Sequence, residues 1–123
     1  MVTAATSFSR SGVSDWLIQR FSAIILGAYT LFIVGFIVAH PGLDYTTWKS
    51  LFIHPLVRIF SLAALLALVA HAWIGLWAVI TDYLTSRLLG AKAIVLRLLV
   101  LAIFAVVTFA YMAWAVQILW GLQ

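Results

Sequence analysis

The sequence predicts an all-α membrane protein with three transmembrane helices, because its composition and its charge spacing both indicate this class. Of its 123 residues, 67% are hydrophobic and 8% are charged, with a mean hydropathy of +1.22, far from the composition of soluble domains. The segments 21–39, 59–81 and 98–123 contain no charged residue. Each approaches or exceeds the roughly 20 residues that a helix needs to cross a hydrocarbon core of about 30 Å.

The first helix is predicted at about 16–39. Ser14 and Asp15 suit a helix N-terminus, and Trp16 suits the depth of the lipid headgroups. The apolar run that follows exceeds the 7 to 15 residues of a signal-peptide core and has no A-x-A site behind it. We therefore expect a retained membrane helix.

A short helix on the outer surface is predicted at about 44–52. His40-Pro41-Gly42 and His54-Pro55 are strong breakers on its two sides. Its apolar side chains have the i, i+3, i+4 spacing of a surface helix, and they are Trp48, Leu51 and Phe52.

The second and third membrane helices are predicted at about 56–83 and 94–120. The loop between them is short and turns near Gly90, so these two helices are expected to be antiparallel neighbours. Three spans leave little sequence for a soluble unit, and we expect one membrane-anchor domain over residues 1–123.

The basic residues predict the orientation. The N-terminal lead and the second loop carry five of them, whereas the first loop has only Lys49 and Arg58. The positive-inside rule then places the N-terminus in the cytoplasm and the C-terminus outside. Because the cations flank apolar spans, the net charge of +4 and the pI near 10.0 do not indicate a nucleic-acid partner. The five are Arg10, Arg20, Arg87, Lys92 and Arg97.

His71 is the most informative residue of the second helix. It lies beside residue 70, the midpoint of the charge-free segment 59–81, and is therefore expected at the centre of the bilayer. An ionisable side chain there faces the protein interior and has a partner, since exposing it to lipid costs on the order of 2 kcal/mol or more.

Small side chains share the helix face of His71. At about 100° per residue, this face would let a flat ring or another backbone lie close. Three interpretations of the imidazole are open: an axial haem ligand, a hydrogen bond between helices, or part of a proton path. The stripe consists of Ala64, Ala67, His71, Gly75, Ala78 and Asp82.

A haem held by two histidines needs a second ligand. The only other histidines are His40 and His54, and both precede the second helix at its outer end. His54 is 17 residues before His71, about 25 Å along a helix. If haem binds, we therefore expect the second ligand from another subunit. With no cysteine in the chain, a Cys-ligated metal or iron–sulfur centre is excluded.

A second polar group is predicted at the cytoplasmic end of the second helix. Asp82 and Tyr83 lie about 16 Å beyond His71, at the level of Arg20 on the first helix. Tyr83 can donate its O–H to a carbonyl oxygen, and Asp82 can orient an arginine or relay a proton. An ordinary set of interfacial anchors is the alternative.

Two segments resemble a known family. SGVSDWLIQRFSAI (11–24) and HAWIGLWAVITDY (71–83) closely resemble the D-type hydrophobic membrane-anchor subunits of bacterial succinate dehydrogenase. The likeness covers about the first two thirds of the chain and the three-helix layout. The H-A-W-x-G-x-W-x-V-x-x-D-Y pattern is fairly specific, whereas the third helix adds only hydropathy. Some relatives have a histidine where this chain has Ser14.

The resemblance implies roles for four residues. His71 resembles one of two axial ligands of a haem b, with the other supplied by a companion C-type cytochrome b anchor subunit. Arg20 resembles an arginine near the haem propionates. Tyr83 resembles the phenol that hydrogen-bonds ubiquinone, and Asp82 resembles the neighbouring acid of that site.

The resemblance also implies partners and a location. The expected partners are the companion anchor subunit, an iron–sulfur subunit, a flavoprotein subunit and membrane lipid, in the bacterial inner membrane. Electrons from succinate would reach ubiquinone near Tyr83, and succinate itself would be oxidised elsewhere in the complex. Two alternatives are the anchor of a fumarate reductase and a haem-free small transporter or structural membrane protein.

Overall fold

The computed structural model of the protein describes residues 12–121, which contain five helices. Three of them, α1, α3 and α5, are long and apolar enough to cross a membrane, which confirms the predicted all-α fold with three spans. Arg10 and Ser11, which entered the predictions of orientation and of the lead segment, lie outside the described residues. The helices are α1 (Gly12–Ala39), α2 (Tyr45–Ile53), α3 (Pro55–Tyr83), α4 (Ser86–Leu89) and α5 (Lys92–Gly121).

The connection between α1 and α3 is organised by side-chain caps. The end of the helices that carries this connection is called the outer end, and the end that carries α4 is called the inner end. Asp44 caps α2 by accepting a hydrogen bond from the Thr47 backbone N–H at 2.9 Å. The hydrogen bonds from the Thr47 side chain and backbone hold the pKa of Asp44 below its ordinary value of 3.8. His54 ends α2 and also caps α3, where its Nδ1 accepts from the Leu56 N–H at 3.2 Å. Pro55 then occupies the first turn of α3, where its missing N–H costs nothing.

The inner connection between α3 and α5 contains α4, a four-residue helix that the hydropathy pattern does not predict. Thr85 caps its start, and Gly90 ends it with a φ of +63°, a conformation that favours glycine. The chain turns at Gly90 as predicted. Arg97 on α5 donates from its Nε to the Leu84 carbonyl oxygen at 2.5 Å and so joins the start of α5 to the end of α3.

The main packing in the chain is between α1 and α3. In their outer halves the Tyr29 hydroxyl and the Ser61 Oγ lie 2.7 Å apart, with Ser61 buried. The Tyr29 ring meets Phe60 edge-on at 5.1 Å, and Phe32 lies 5.6 Å from Phe60 between centroids. By contrast, α5 joins α3 more sparsely, with Trp73 and Phe104 at 5.9 Å. Most of α1 and α5 is exposed within this chain.

Candidate functional site

His71 lies in the interior of α3 and contributes to a groove of about 420 Å³ between α3 and the inner half of α1. The groove joins the two segments that carry the family resemblance. Its α1 wall supplies a carboxylate, an indole, an amide and a guanidinium, and its α3 wall is mainly small or apolar. The lining residues are Asp15, Trp16, Gln19, Arg20, Ala23, His71, Ile74, Gly75 and Ala78.

Both ring nitrogens of His71 have partners on α1. The Ser22 Oγ lies 3.1 Å from Nδ1, and the Gln19 Nε2 lies 3.5 Å from the His71 Nε2. The Ser22 hydroxyl also donates to the Gln19 backbone carbonyl at 3.0 Å. One predicted interpretation, a hydrogen bond between helices, is therefore observed. The contact at Nε2 is long and therefore weak.

The Gln19 side chain is incompletely satisfied. Its Oε1 is buried and has no hydrogen-bond partner within the described residues. Buried polar atoms of this kind are uncommon and call for an explanation, such as an absent ligand or water. Gln19 lines the groove, so the unpaired acceptor and the weakly held His71 Nε2 occur at the same place.

The stripe of small residues has two different roles along α3. Ala64 and Ala67, in its outer half, are 5% and 6% exposed and permit close helix packing. Gly75 and Ala78, in its inner half, line the groove instead. A Cβ atom placed on Gly75 would meet no atom within 4 Å. The inner half of the stripe is therefore open within this chain.

Arg20 brings a positive charge to the edge of this groove. Its guanidinium carbon lies 5.4 Å from the Trp16 ring centroid, within the distance of a cation–π contact. Arg20 is exposed, and no contact with His71 is needed for it to reach an anionic group at the groove mouth. The structure thus brings two of the four predicted site residues to one groove.

Asp82 and Tyr83 lie outside the groove. They are the last two residues of α3, and both are exposed, with Tyr83 at 67%. Their position at the end of the helix matches the spacing derived from the sequence, but no described residue of this chain encloses them in a pocket with His71. Within residues 12–121 they stand as a separate polar pair.

The other two histidines have structural roles at the outer end. His40 donates from Nδ1 to the Phe36 carbonyl at 2.8 Å, and its ring stacks on Phe36 at 4.1 Å. His54 is the cap of α3. Among the described residues, no three His, Asp or Glu side chains form a group suited to a metal ion.

Gln19 and Ser22 are site residues that the sequence reasoning missed. The signal was present, because both are polar and have an i, i+3 spacing next to Arg20 at the start of the first charge-free segment. Side chains three residues apart lie on one face of a helix. What the pattern lacked was the rotation of α1 relative to α3, which decides whether that face meets His71.

Most of the chain is similar to known membrane-anchor proteins. A family model described as "Succinate dehydrogenase/Fumarate reductase transmembrane subunit" matches residues 3–116. A succinate dehydrogenase hydrophobic membrane anchor subunit of Coxiella burnetii is 33% identical over 112 residues, which cover 91% of each chain. Proteins with the same description from Rickettsia bellii and Rickettsia felis are 29% and 31% identical, over 85% and 81% of this chain and 82% and 80% of their own. These matches confirm the resemblance and extend it to the third helix.

Proposed function

The chain belongs to the succinate dehydrogenase/fumarate reductase transmembrane subunit family, and from this premise we propose that it anchors a succinate dehydrogenase in the bacterial inner membrane. In this role it binds a companion anchor subunit and holds the iron–sulfur and flavoprotein subunits at the cytoplasmic face. It supplies one axial ligand of a haem b and part of a ubiquinone-reduction site. The orientation expected from its basic residues places the end of α3 at that face.

The haem proposal is carried by His71 and the groove beside it. A neutral imidazole nitrogen is a suitable axial ligand, and the small residues of α3 leave room next to it. When bound, the haem supplies a one-electron redox centre. The His71 Nε2 would bind iron, and Arg20 would make charge-assisted hydrogen bonds to a propionate.

Gln19 must leave the His71 Nε2 before a metal can bind there. Its contact is 3.5 Å long, and its Oε1 has no partner to lose. Moving the Gln19 amide therefore costs little free energy. In a new position its Oε1 can accept a hydrogen bond. The fit between these residues and an axially ligated haem is accordingly favourable.

The second axial ligand is proposed to come from the companion subunit. His40 and His54 lie at the outer ends of α1 and α3, where each is held by its own helix terminus. A histidine that caps a helix cannot also reach the inner groove. This chain alone then provides half of the ligand set.

The quinone site is proposed at the end of α3. The Tyr83 hydroxyl can donate a hydrogen bond to a quinone carbonyl oxygen, and Asp82 beside it can orient a cation or pass on a proton. Both side chains are exposed within this chain, so neighbouring subunits would complete the pocket. Electrons would arrive from the iron–sulfur subunit, and protons from the cytoplasm.

Reduced-minus-oxidised visible spectra of the purified complex test the haem assignment. We expect His71→Ala to abolish the b-type band while the four subunits remain assembled. His40→Ala is the matched control, since it removes the same side chain from the outer end of α1 and should keep the band. A b-type band that persists in assembled His71→Ala, or a wild-type complex without pigment, would refute the proposal.

A fumarate reductase anchor is the second candidate, because the family description covers both enzymes. The relatives named above favour succinate dehydrogenase, as each carries that description. Comparing succinate oxidation with ubiquinone against fumarate reduction with a quinol, in the same membranes, separates the two. A dominant fumarate reductase activity would favour the second candidate.

A further inference from the structure

Ser22 is the buried hydroxyl that meets His71 from α1. We propose that Ser22 is a positioning residue: it accepts a hydrogen bond from the His71 Nδ1–H and thereby fixes the tautomer and ring orientation in which the Nε2 lone pair binds haem iron. This inference rests on the proposed ligation by His71. Ser22 itself touches neither the iron nor the quinone.

The direction of the hydrogen bond follows from proton counting. The Ser22 hydroxyl carries one proton, and that proton is donated to the Gln19 backbone carbonyl at 3.0 Å, because a carbonyl oxygen can only accept. The remaining contact of Ser22 Oγ, to the His71 Nδ1 at 3.1 Å, must then be one in which the oxygen accepts. Nδ1 therefore carries the ring proton.

The contact at the other ring nitrogen is compatible with this tautomer. The Gln19 Nε2 lies 3.5 Å from the His71 Nε2, and an amide NH₂ group can only donate. In the tautomer fixed by Ser22, the His71 Nε2 presents its lone pair to this amide. The contact with Ser22 thus carries the assignment, and in this tautomer Nε2 is unprotonated and lies next to Gln19, which lines the groove.

The position of Ser22 makes the bond durable. Ser22 is 3% exposed and lies inside a membrane-spanning helix, so water does not compete for its oxygen. The hydroxyl is also fixed by the backbone of α1 through the Gln19 carbonyl. A hydrogen-bond partner of this kind holds the ring of a ligating histidine and raises the basicity of the imidazole. Loss of the partner typically lowers metal affinity by about 10- to 100-fold.

The test uses the assembled complex with threonine and valine at this position as a matched pair. Ser22→Thr keeps a hydroxyl. Ser22→Val has the same shape as Ser22→Thr but has no hydroxyl. Anaerobic redox titration of the haem and EPR of its oxidised form are the readouts. We expect Ser22→Val to raise the midpoint potential, because a less basic imidazole stabilises ferric iron less, to alter the EPR g-values and to release haem more readily. Ser22→Thr should remain close to wild type.

The outcomes separate this inference from the proposed function. Equal midpoint potentials and g-values in the valine, threonine and wild-type complexes would overturn the role of Ser22 alone. Equal shifts in valine and threonine would overturn it as well, since the hydroxyl would then be irrelevant. Persistence of the b-type band in His71→Ala would remove the proposed ligand and the inference together. Ser22→Ala provides a second hydroxyl-free arm with a smaller side chain, should the valine complex fail to assemble.

Discussion

Gly75 offers two substitutions that separate the stability of α3 from haem binding. It lies one turn beyond His71 on α3, and a Cβ atom there would meet nothing within 4 Å. Replacing a helix-interior glycine with alanine removes a propensity cost of about 1 kcal/mol. We therefore expect Gly75→Ala to stabilise the chain, with the unfolding equilibrium constant falling roughly fivefold. Loss of helical circular dichroism as SDS is added to detergent micelles measures this change.

A larger side chain at Gly75 should exclude the haem without harming insertion. Residues at i and i+4 are neighbours on a helix surface, so Gly75→Leu would direct an isobutyl group into the groove of about 420 Å³ beside His71. Leucine is also favourable in a membrane helix. We expect the chain to accumulate normally in membranes while the haem content per assembled complex falls.

Gly35 provides the matched control for this experiment. It also has open space at its Cβ position, but it lies 12 residues beyond Ala23 on α1, about 18 Å from the groove along the helix. Gly35→Leu should retain haem. Full haem content in Gly75→Leu would refute the assignment of the groove, and equal loss in Gly35→Leu would show that the effect is unspecific.

Three further predictions concern other parts of the chain. Tyr83→Phe should impair ubiquinone reduction while the b-type spectrum persists, because it removes only the phenolic donor; unchanged turnover with ubiquinone would contradict this role. Tyr29→Phe and Ser61→Ala, combined in a double-mutant cycle of SDS unfolding, should couple by about 0.6 kcal/mol and at most about 1.7 kcal/mol; additive effects would exclude the hydrogen bond. Asp44 has a lowered pKa, so its capping contribution is complete above the unfolded pKa and is lost as the pH falls through the folded one. The protection factor of the amides at the start of α2, which is the intrinsic exchange rate divided by the observed rate, should therefore fall in acid, and Asp44→Asn should remove that pH dependence.

The three membrane spans and the connections between them could be predicted from the sequence. Charged residues are costly in lipid, so the charge-free segments mark the spans. Helix α3 was expected from about residue 56 and begins at Pro55, since His54-Pro55 is both a breaker and a start signal. Helix α4 was not expected because four residues containing Ser86 and Arg87 leave no periodic pattern to detect. Charge spacing and helix start and stop signals thus predict the long helices but not the short helix α4.

The partners of His71 could not be predicted by the same means. Hydropathy shows that α1 and α3 cross the membrane, but their mutual rotation depends on packing that involves Tyr29, Phe60 and Ser61. Only that rotation brings Ser22 opposite the imidazole. The same rotation decides which half of the small-residue stripe is packed and which half is open. The sequence shows only one periodic pattern of small residues, which is the same in the two halves.

The aromatic contacts between Tyr29, Phe32 and Phe60 have a thermodynamic consequence at the opposite end of the helix pair. They set the separation of α1 and α3 seven residues from Ser22, about 10 Å along the helix, through contacts that no ligand is needed to make. These contacts hold α1 and α3 together through residues of this chain alone. For the proposed ligation by His71, the side chain that must move is that of Gln19, and immobilising one such side chain costs on the order of 1 kcal/mol.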